Sequence, residues 1–99
     1  MKVIVTAQAR LDLQEIWGYI AGDSNEAADR FIDEVTQALK LLGEHPLAGR
    51  SRSDLGYGIR NVPVKRYILL YRLEDDGVRV IRVIHGARDL DTVWDSPDN

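Results

Sequence analysis

The chain has 99 residues, no cysteine and a formal net charge of −3. This length suffices for one core of two packed layers but not for a second domain, so we expect a single domain over residues 1–99. The lack of cysteine excludes disulfides and thiolate metal sites, and no stretch approaches the roughly 20 apolar residues of a membrane span. The first residues lack the apolar core of a signal peptide, so we expect a cytoplasmic protein.

The charges are divided unevenly along the chain. Residues 1–48 hold four basic and eight acidic side chains, residues 49–90 hold nine basic and five acidic ones, and residues 91–99 form an acidic tail with three aspartates. A basic middle segment on an acidic protein favours a local surface for phosphate or an acidic peptide over a general coat for nucleic acid. Arginines that only decorate a solvated sheet are an equally good interpretation of this composition.

The first part of the chain predicts one strand followed by a helix. Residues 3–5 form a short apolar run typical of a strand. From Leu13 onward, apolar residues recur at i, i+3, i+4 and i+7, the stripe of an amphipathic helix that we place over residues 7–21. Gly22 is expected to end this helix, because glycine is favoured just beyond helix termini.

A second helix is predicted after a short connection. Asp23 and Glu26 have the spacing of a helix N-cap and its N3 partner, so we expect the helix to begin near Ser24. Gly43 and Pro46 are expected to stop it. Because two helices joined by about four residues run antiparallel, the first half of the chain predicts a helical hairpin.

The second half of the chain predicts a loop and then an antiparallel sheet. Residues 46–58 are punctuated by glycine, serine and proline and are expected to form a loop. Residues 59–64, 67–73 and 78–84 are rich in aromatic, β-branched and aliphatic side chains, and each predicts a strand. The expected fold class is therefore α+β, with an N-terminal strand and an antiparallel two-helix hairpin packed on a small twisted antiparallel sheet.

The dipeptide of Asp76 and Gly77 is a favoured two-residue hairpin turn, and it would set the register of the last two strands. In that register one face of the hairpin carries six residues, Ile68, Leu70, Arg72, Ile81, Val83 and His85. Both faces are largely apolar and a helical hairpin covers only one, so the other needs the loop, the tail, a second subunit or a foreign partner. Folding of residues 46–58 and 91–99 over this face is the alternative that needs no partner. Trp94 either folds back on the core or anchors a partner.

Short motifs along nearly the whole chain resemble the ParE branch of the RelE/ParE superfamily of bacterial toxins, in the family's order. They lie in both predicted helices, in the turn after them and in the strands, at residues 9–13, 16–20, 27–32, 45–50, 55–60, 66–72 and 82–89. Each motif is short, but the ordered set is specific. The resemblance implies a helical hairpin packed on a small, strongly twisted antiparallel sheet, which agrees with the patterns above.

The resemblance also implies the toxin of a type II toxin–antitoxin system. Such a toxin inhibits DNA gyrase and thereby replication, is not an enzyme, and uses no cofactor or metal. Its implied partner is a cognate antitoxin with an N-terminal DNA-binding domain and a disordered C-terminal segment that folds on the toxin. We expect toxin–antitoxin heterodimers that assemble further, and no direct DNA binding by the toxin alone.

The expected contact surfaces lie on the sheet and at its end. The antitoxin is expected at Arg60, Ile68, Leu70, Arg72, Ile81 and Val83, while the sequence leaves open which face of the sheet it covers. The surface for the target is expected where the last strand ends, at Arg82, His85, Arg88 and Asp89.

The alternative is a RelE-like, ribosome-dependent mRNA endoribonuclease. In that case four basic residues would hold the scissile phosphate, namely Arg60, Lys65, Arg66 and Arg82, and His85 would move protons. The sequence departs from this pattern, because residues 86–89 follow His85 where ribonuclease relatives often have a tyrosine. A ring hydrogen-bonded to the backbone or to Asp89 is the simpler interpretation of His85. Two distant histidines without cysteine favour no metal site.

Overall fold

The computed structural model describes residues 1–90 and 92–94. The elements in chain order are β1 (Lys2–Val5), α1 (Ala7–Ala21), α2 (Asn25–Glu44), β2 (Arg50–Ser51), β3 (Ile59–Val64), β4 (Tyr67–Glu74) and β5 (Gly77–His85). The strands form one sheet in the order β1-β5-β4-β3-β2, and the two helices pack on it. This confirms the α+β prediction. The sheet is mixed, because β1 runs parallel to β5 while every other neighbouring pair is antiparallel.

The helix boundaries follow from caps that the sequence supplies. Thr6 caps α1, since its hydroxyl accepts the Ala9 N–H at 3.1 Å. Ser24 caps α2 in the same way, with its hydroxyl 3.1 Å from the Ala27 nitrogen. The prediction of Asp23 as the cap was therefore wrong by one residue, because the side chain that reaches the free N–H groups is Ser24. The predicted bounds of α1 were correct.

The second helix also runs further than predicted at its other end. Gly43 lies inside α2, and the helix ends at Glu44, just before Pro46. The predicted loop over residues 46–58 contains β2, which pairs with Asn61 and Arg60 of β3.

The main core lies between the helical hairpin and one face of the sheet. It is built from the apolar stripes of both helices and alternate residues of the central strands. Its buried members include Ile16, Phe31, Val35, Leu42, Leu69, Tyr71, Val80 and Val83. We call this the helix-side core.

The register of the last hairpin differs from the predicted one. The turn consists of Asp75 and Asp76, and Gly77 already lies in β5, opposite Glu74. Gly77 is also paired with Lys2 of β1, and a Cβ atom there would collide with the Lys2 carbonyl. Glycine is therefore needed at position 77 because β1 approaches closely there. Gly77 is not part of the turn, so the prediction of a turn at Asp76 and Gly77 was wrong.

A second shift in register comes from a β-bulge in the middle of the hairpin. Tyr71 faces Val80 and Leu70 faces Arg82, so Ile81 is an extra residue on β5. Because side chains alternate along a strand, this insertion places Val83 in the helix-side core. The prediction that Val83 lies on the second face was wrong for this reason.

The second sheet face is smaller and is covered by the chain itself. Its buried side chains are Ile59, Leu70 and Ile84, with Ile68 and Ile81 partly buried beside them; Leu55, Leu90 and Trp94 pack over this cluster. The Trp94 indole N–H donates to the Leu55 carbonyl at 3.1 Å. Among the described residues the loop and the C-terminal segment thus provide the cover, and Trp94 folds back on the core. Residues 91 and 95–99 of the acidic tail lie outside the described residues.

Candidate binding surfaces

A buried ion pair joins α1 to β5 at the bulge. The Arg82 guanidinium donates to both carboxylate oxygens of Asp12, from Nε at 2.8 Å and from Nη2 at 3.0 Å. Asp12 also accepts the backbone N–H of Val83 at 2.9 Å and the side-chain amide of Gln8 at 3.1 Å. Asp12 is only 6% exposed, and it is the one charged residue in the buried set of the described chain. The carboxylate therefore stabilises the bulge, where the regular ladder is interrupted.

This ion pair restrains the Arg82 side chain and gives it a structural role. Hydrogen bonds to Asp12 are the largest cause that raises the pKa of Arg82, and they outweigh the opposing effect of burial. The bidentate pair occupies two guanidinium donors and fixes the side chain against α1. Breaking it would leave a buried carboxylate without its cation, which is strongly destabilising. Arg82 is thus a structural residue in this arrangement, whereas the sequence placed it among the phosphate-binding and target-binding candidates.

The other target-binding candidates form a compact turn after β5. The backbone N–H of Arg88 donates to Nδ1 of His85 at 3.2 Å, and the Asp89 carboxylate accepts the backbone N–H of His85 at 3.2 Å. The His85 ring also stands edge-on to Tyr67, with ring centroids 5.4 Å apart. His85 therefore holds the turn together, as its simpler interpretation predicted.

The turn after β5 meets α1 in a shallow depression. The Arg88 guanidinium lies 5.9 Å from the centre of the Tyr19 ring, a cation–π arrangement. Glu15 and Asp89 line the same cavity of about 240 Å³. His85, Arg88 and Asp89 are thus brought together, and α1 adds Tyr19 and Glu15, which the sequence analysis did not single out.

Arg60 and Arg72 line one cavity of about 300 Å³ with Tyr57 and Leu73. Arg60 is opposite Tyr71 and Arg72 is opposite Ile59, so the two side chains begin on opposite faces of the sheet. The Arg72 Nη2 donates to the Tyr57 carbonyl at 3.0 Å. Nε of Arg60 is buried and has no hydrogen-bond partner among the described residues. None of the described residues that line this cavity is acidic, so its charge is net positive.

A third cavity, of about 620 Å³, opens between the tip of the helical hairpin and the β3–β4 turn. We call it the basic groove and define it by its floor of buried rings, Phe31 and Tyr67, and by its exposed rim, Tyr19, Arg30, Lys65 and Arg66. The floor rings are in contact, with centroids 5.2 Å apart. Burial raises the pKa of Tyr67, which keeps its hydroxyl neutral well above physiological pH.

The basic residues named as a phosphate clamp are therefore dispersed. Lys65 and Arg66 line the basic groove, Arg60 lines the cavity with Arg72, and Arg82 is bound to Asp12. No group of three acidic or histidine side chains in the described chain is arranged to hold a metal ion. Among the same residues, no helix is both long and apolar enough to cross a membrane.

Sequence patterns missed two of the residues that build these surfaces. Asp12 shares a helix face with Ala9 and Ile16, three and four positions away, and both are buried. An acidic residue on the apolar face of a helix is a signal from which a cation packed against that face could have been predicted. Tyr19 carried no such signal, because its role depends on the strand turns that approach it.

Comparisons with known proteins place this fold among bacterial toxins. The chain is 29% identical over 90 residues to "Toxin ParE3" of Caulobacter vibrioides, covering 90% of each protein, and 32% identical over 85 residues to "Toxin ParE1" of the same organism, covering 82% of this chain and 84% of that toxin. A solved structure, "Chromosomal ParDE TA system from P. aeruginosa", has the same fold, with a TM-score of 0.72 and 19% identity over 86% of this chain and 95% of that one.

The class of protein is thus a small toxin with a two-helix hairpin on a mixed sheet. The family described as "ParE toxin of type II toxin-antitoxin system, parDE" matches residues 3–90. The chain belongs to this ParE toxin family.

Proposed function

We propose that this toxin inhibits DNA gyrase by binding and not by catalysis, and that a cognate antitoxin neutralises it. Membership of the ParE toxin family supports the toxin–antitoxin assignment. The observation that supports binding without catalysis is where the candidate catalytic side chains lie and what they contact. Arg82 is bound to Asp12, and the other cations named for a phosphate clamp line two separate cavities, so the four candidates do not meet.

The antitoxin surface that we propose centres on Arg60 and Arg72 and extends over the second sheet face, from which the Arg72 side chain begins. Two guanidinium groups and no acidic side chain among the described lining residues support an acidic antitoxin side chain in their cavity. An antitoxin segment that reaches Leu70 must first displace Leu55 and Trp94, which cover it. Such a segment folds as it binds, on an antitoxin whose N-terminal domain binds DNA.

The target surface that we propose is the turn after β5, with His85, Arg88 and Asp89 beside Tyr19 of α1. Their hydrogen bonds and the cation–π contact give this turn a defined shape. A rigid surface with an exposed tyrosine and arginine is typical of strong protein–protein contacts.

A ribosome-dependent ribonuclease is the second candidate, because the ring contact of Tyr67 with His85 supplies a tyrosine–histidine pair. Two observations weigh against it. Tyr67 is only 8% exposed and burial raises its pKa, so it is poorly placed to exchange protons with a substrate. The basic residues needed around the phosphate are also divided between separate sites.

Inducible expression of the chain alone in a bacterial host tests the proposal. DNA and protein synthesis are followed separately by pulse labelling during the first minutes. We expect DNA synthesis to fall first, with a DNA-damage response. An earlier fall in protein synthesis would instead establish the ribonuclease.

The antitoxin part is tested separately by co-expressing the protein encoded next to this chain. We expect it to restore growth and to co-purify with the toxin. Arg60→Gln should weaken this rescue, and Arg10→Gln, which removes an exposed charge from α1, should leave it intact.

A further inference from the structure

The helical hairpin leaves one aromatic side chain of its apolar stripes uncovered. Trp17 follows Ile16 on the apolar stripe of α1, yet 38% of its surface is exposed, whereas Ile16 is 8% exposed. Trp17 borders a cavity of about 280 Å³ between α1 and α2, which Leu13, Gln14 and Ile32 also line. We call this cavity the hairpin groove. An exposed tryptophan beside a largely apolar depression is typical of a protein-binding site.

Two acidic side chains of α2 stand beside the hairpin groove. A carboxylate oxygen of Asp29 lies 3.4 Å from the indole nitrogen of Trp17. Asp33 lies four positions further along α2, and residues at this spacing are neighbours on one helix face. Both aspartates are exposed, and neither belongs to an ion pair of the described residues. The indole is therefore accompanied by two carboxylates whose charge the described fold does not balance.

The position of this acidic pair on α2 is unfavourable for the helix. Carboxylates four positions apart on a helix repel each other. Because α2 begins at Asn25, both aspartates lie beyond the first turn, where the helix N-terminus would favour an acid. Arg30 lies between them in the sequence but lines the basic groove. Acidic residues that destabilise their own helix, exposed beside an indole, thus favour a cationic partner.

We infer that the hairpin groove binds a basic segment of another protein. A lysine or arginine of that segment lies over the indole of Trp17, since indole is the best aromatic partner for a cation. The same cation pairs with Asp29 and Asp33. An adjoining aliphatic side chain enters the depression between Leu13 and Ile32. The hairpin groove includes no residue of the two surfaces proposed above, so this inference goes beyond the proposed function.

Charge and shape distinguish this partner from the other classes of ligand. The carboxylates of Asp29 and Asp33 repel phosphates and acidic peptides. A purely apolar partner would bury both carboxylates without a counter-charge, which is costly. A small free cation would leave the apolar depression empty. A basic segment with one aliphatic anchor satisfies both parts of the hairpin groove, and the exposed carboxylates speed its approach.

The test uses the full chain as bait for a random library of displayed peptides. The library is first depleted on the Trp17→Leu variant and then selected on wild type, so that the surviving peptides need the indole. We expect them to combine lysine or arginine with one large aliphatic residue. The strongest peptide is labelled, and its Kd is measured by fluorescence anisotropy. Asp29→Asn with Asp33→Asn should weaken binding about tenfold or more, as expected for the loss of two charged contacts.

A matched control removes the same charge elsewhere. Asp75→Asn with Asp76→Asn, both exposed in the turn between β4 and β5, should change the Kd less than about twofold, because exposed charges far from a site are largely screened. Asp29→Asn with Asp33→Asn should keep or raise the thermal unfolding midpoint, since it removes a repulsion within α2. Weaker binding in a variant that is no less stable would establish a binding role. Equal weakening by both pairs would reveal a general charge effect and overturn the inference.

NMR shifts locate the peptide on the chain. Shifts of the Trp17 indole N–H and of the Leu13 and Ile32 amides support the inference. Shifts confined to the turn after β5, or a library that yields no basic binders, overturn it. Sedimentation velocity of the chain alone tests a second copy as the occupant. Self-association that Asp29→Asn with Asp33→Asn abolishes would assign the hairpin groove to a second copy and overturn the inference of a foreign partner.

Discussion

The two faces of the sheet bury similar side chains in different ways. The helix-side core is closed by two long helices and includes thirteen buried residues of both helices and three strands. The second face has only three buried residues, and its cover consists of single side chains from a loop and from the C-terminal segment. Apolar burial therefore stabilises the fold mainly on one side, while the other side is closed by contacts that a binding partner can replace.

Neighbouring leucines on β4 offer a direct comparison of the two faces. Leu69 and Leu70 are both fully buried, Leu69 in the helix-side core and Leu70 on the second face. We expect Leu69→Ala to lower the free energy of unfolding by an amount in the upper half of the range of about 2–5 kcal/mol, because rigid helices cannot collapse into the cavity. Leu70→Ala should fall in the lower half, since its cover can move inward. Denaturant unfolding of both variants measures the difference, and equal losses would contradict this view of the cover.

Tyr71 connects the two faces, and its hydroxyl is the next point to test. It accepts the Gly49 N–H at 2.9 Å and donates to the Pro46 carbonyl at 2.7 Å, which fixes the start of the loop that carries Leu55. Tyr71→Phe leaves both backbone groups without this partner, and we expect the free energy of unfolding to fall by about 1–3 kcal/mol. Loosening of the second face, seen as faster amide hydrogen exchange at Leu70, should accompany the loss.

The same variant has a defined pH dependence. Burial raises the pKa of Tyr71 above its ordinary value, so the folded chain holds this proton longer than the unfolded chain. The stabilisation is complete below about pH 10, the pKa of an unfolded tyrosine, and is lost as the pH rises towards the folded pKa. Tyr71→Phe should therefore flatten the alkaline part of the stability curve. Tyr67→Phe, which removes the other tyrosine with a raised pKa, is the reference for this comparison.

Trp94 should give the smallest effect of the series. It is partly exposed and contributes one indole hydrogen bond to the Leu55 carbonyl. We expect Trp94→Ala to lower the free energy of unfolding by about 1 kcal/mol, the contribution expected from a partly buried large side chain and one hydrogen bond. The variant should bind a fluorescent apolar dye more strongly than wild type because the second face opens. A loss as large as that of Leu69→Ala would show that this segment belongs to the main core.

Local signals predicted most of the elements. The bounds of α1 and β3 were predicted correctly, since hydrophobic period, caps and turn residues act within a few positions of the chain. The cap of α2 moved from Asp23 to Ser24, a choice between two neighbouring polar residues that only their backbone angles decide. The same local signals predicted that charged residues of the middle segment lie near the sheet. They did not predict which of these residues contact one another.

The candidate surfaces depended on contacts between distant parts of the chain. Asp12 and Arg82 are 70 positions apart, and their ion pair removed Arg82 from the free cations that the sequence suggested. Tyr19 and Arg88 are brought together only when α1 packs beside the end of β5. No pattern within a single element contains this information.

The sequence by itself determined the α+β class, the helical hairpin and the membership of the ParE toxin family, because these depend on local periodicity and on ordered motifs. Only the tertiary structure decided the register of the last hairpin. The carbonyl of Lys2 approaches Gly77 too closely for any side chain, and the bulge at Ile81 is stabilised by Asp12 from another element. Because one residue of slip reverses the faces of a strand, these two distant contacts decided that Val83 faces the helices and Ile84 the second face.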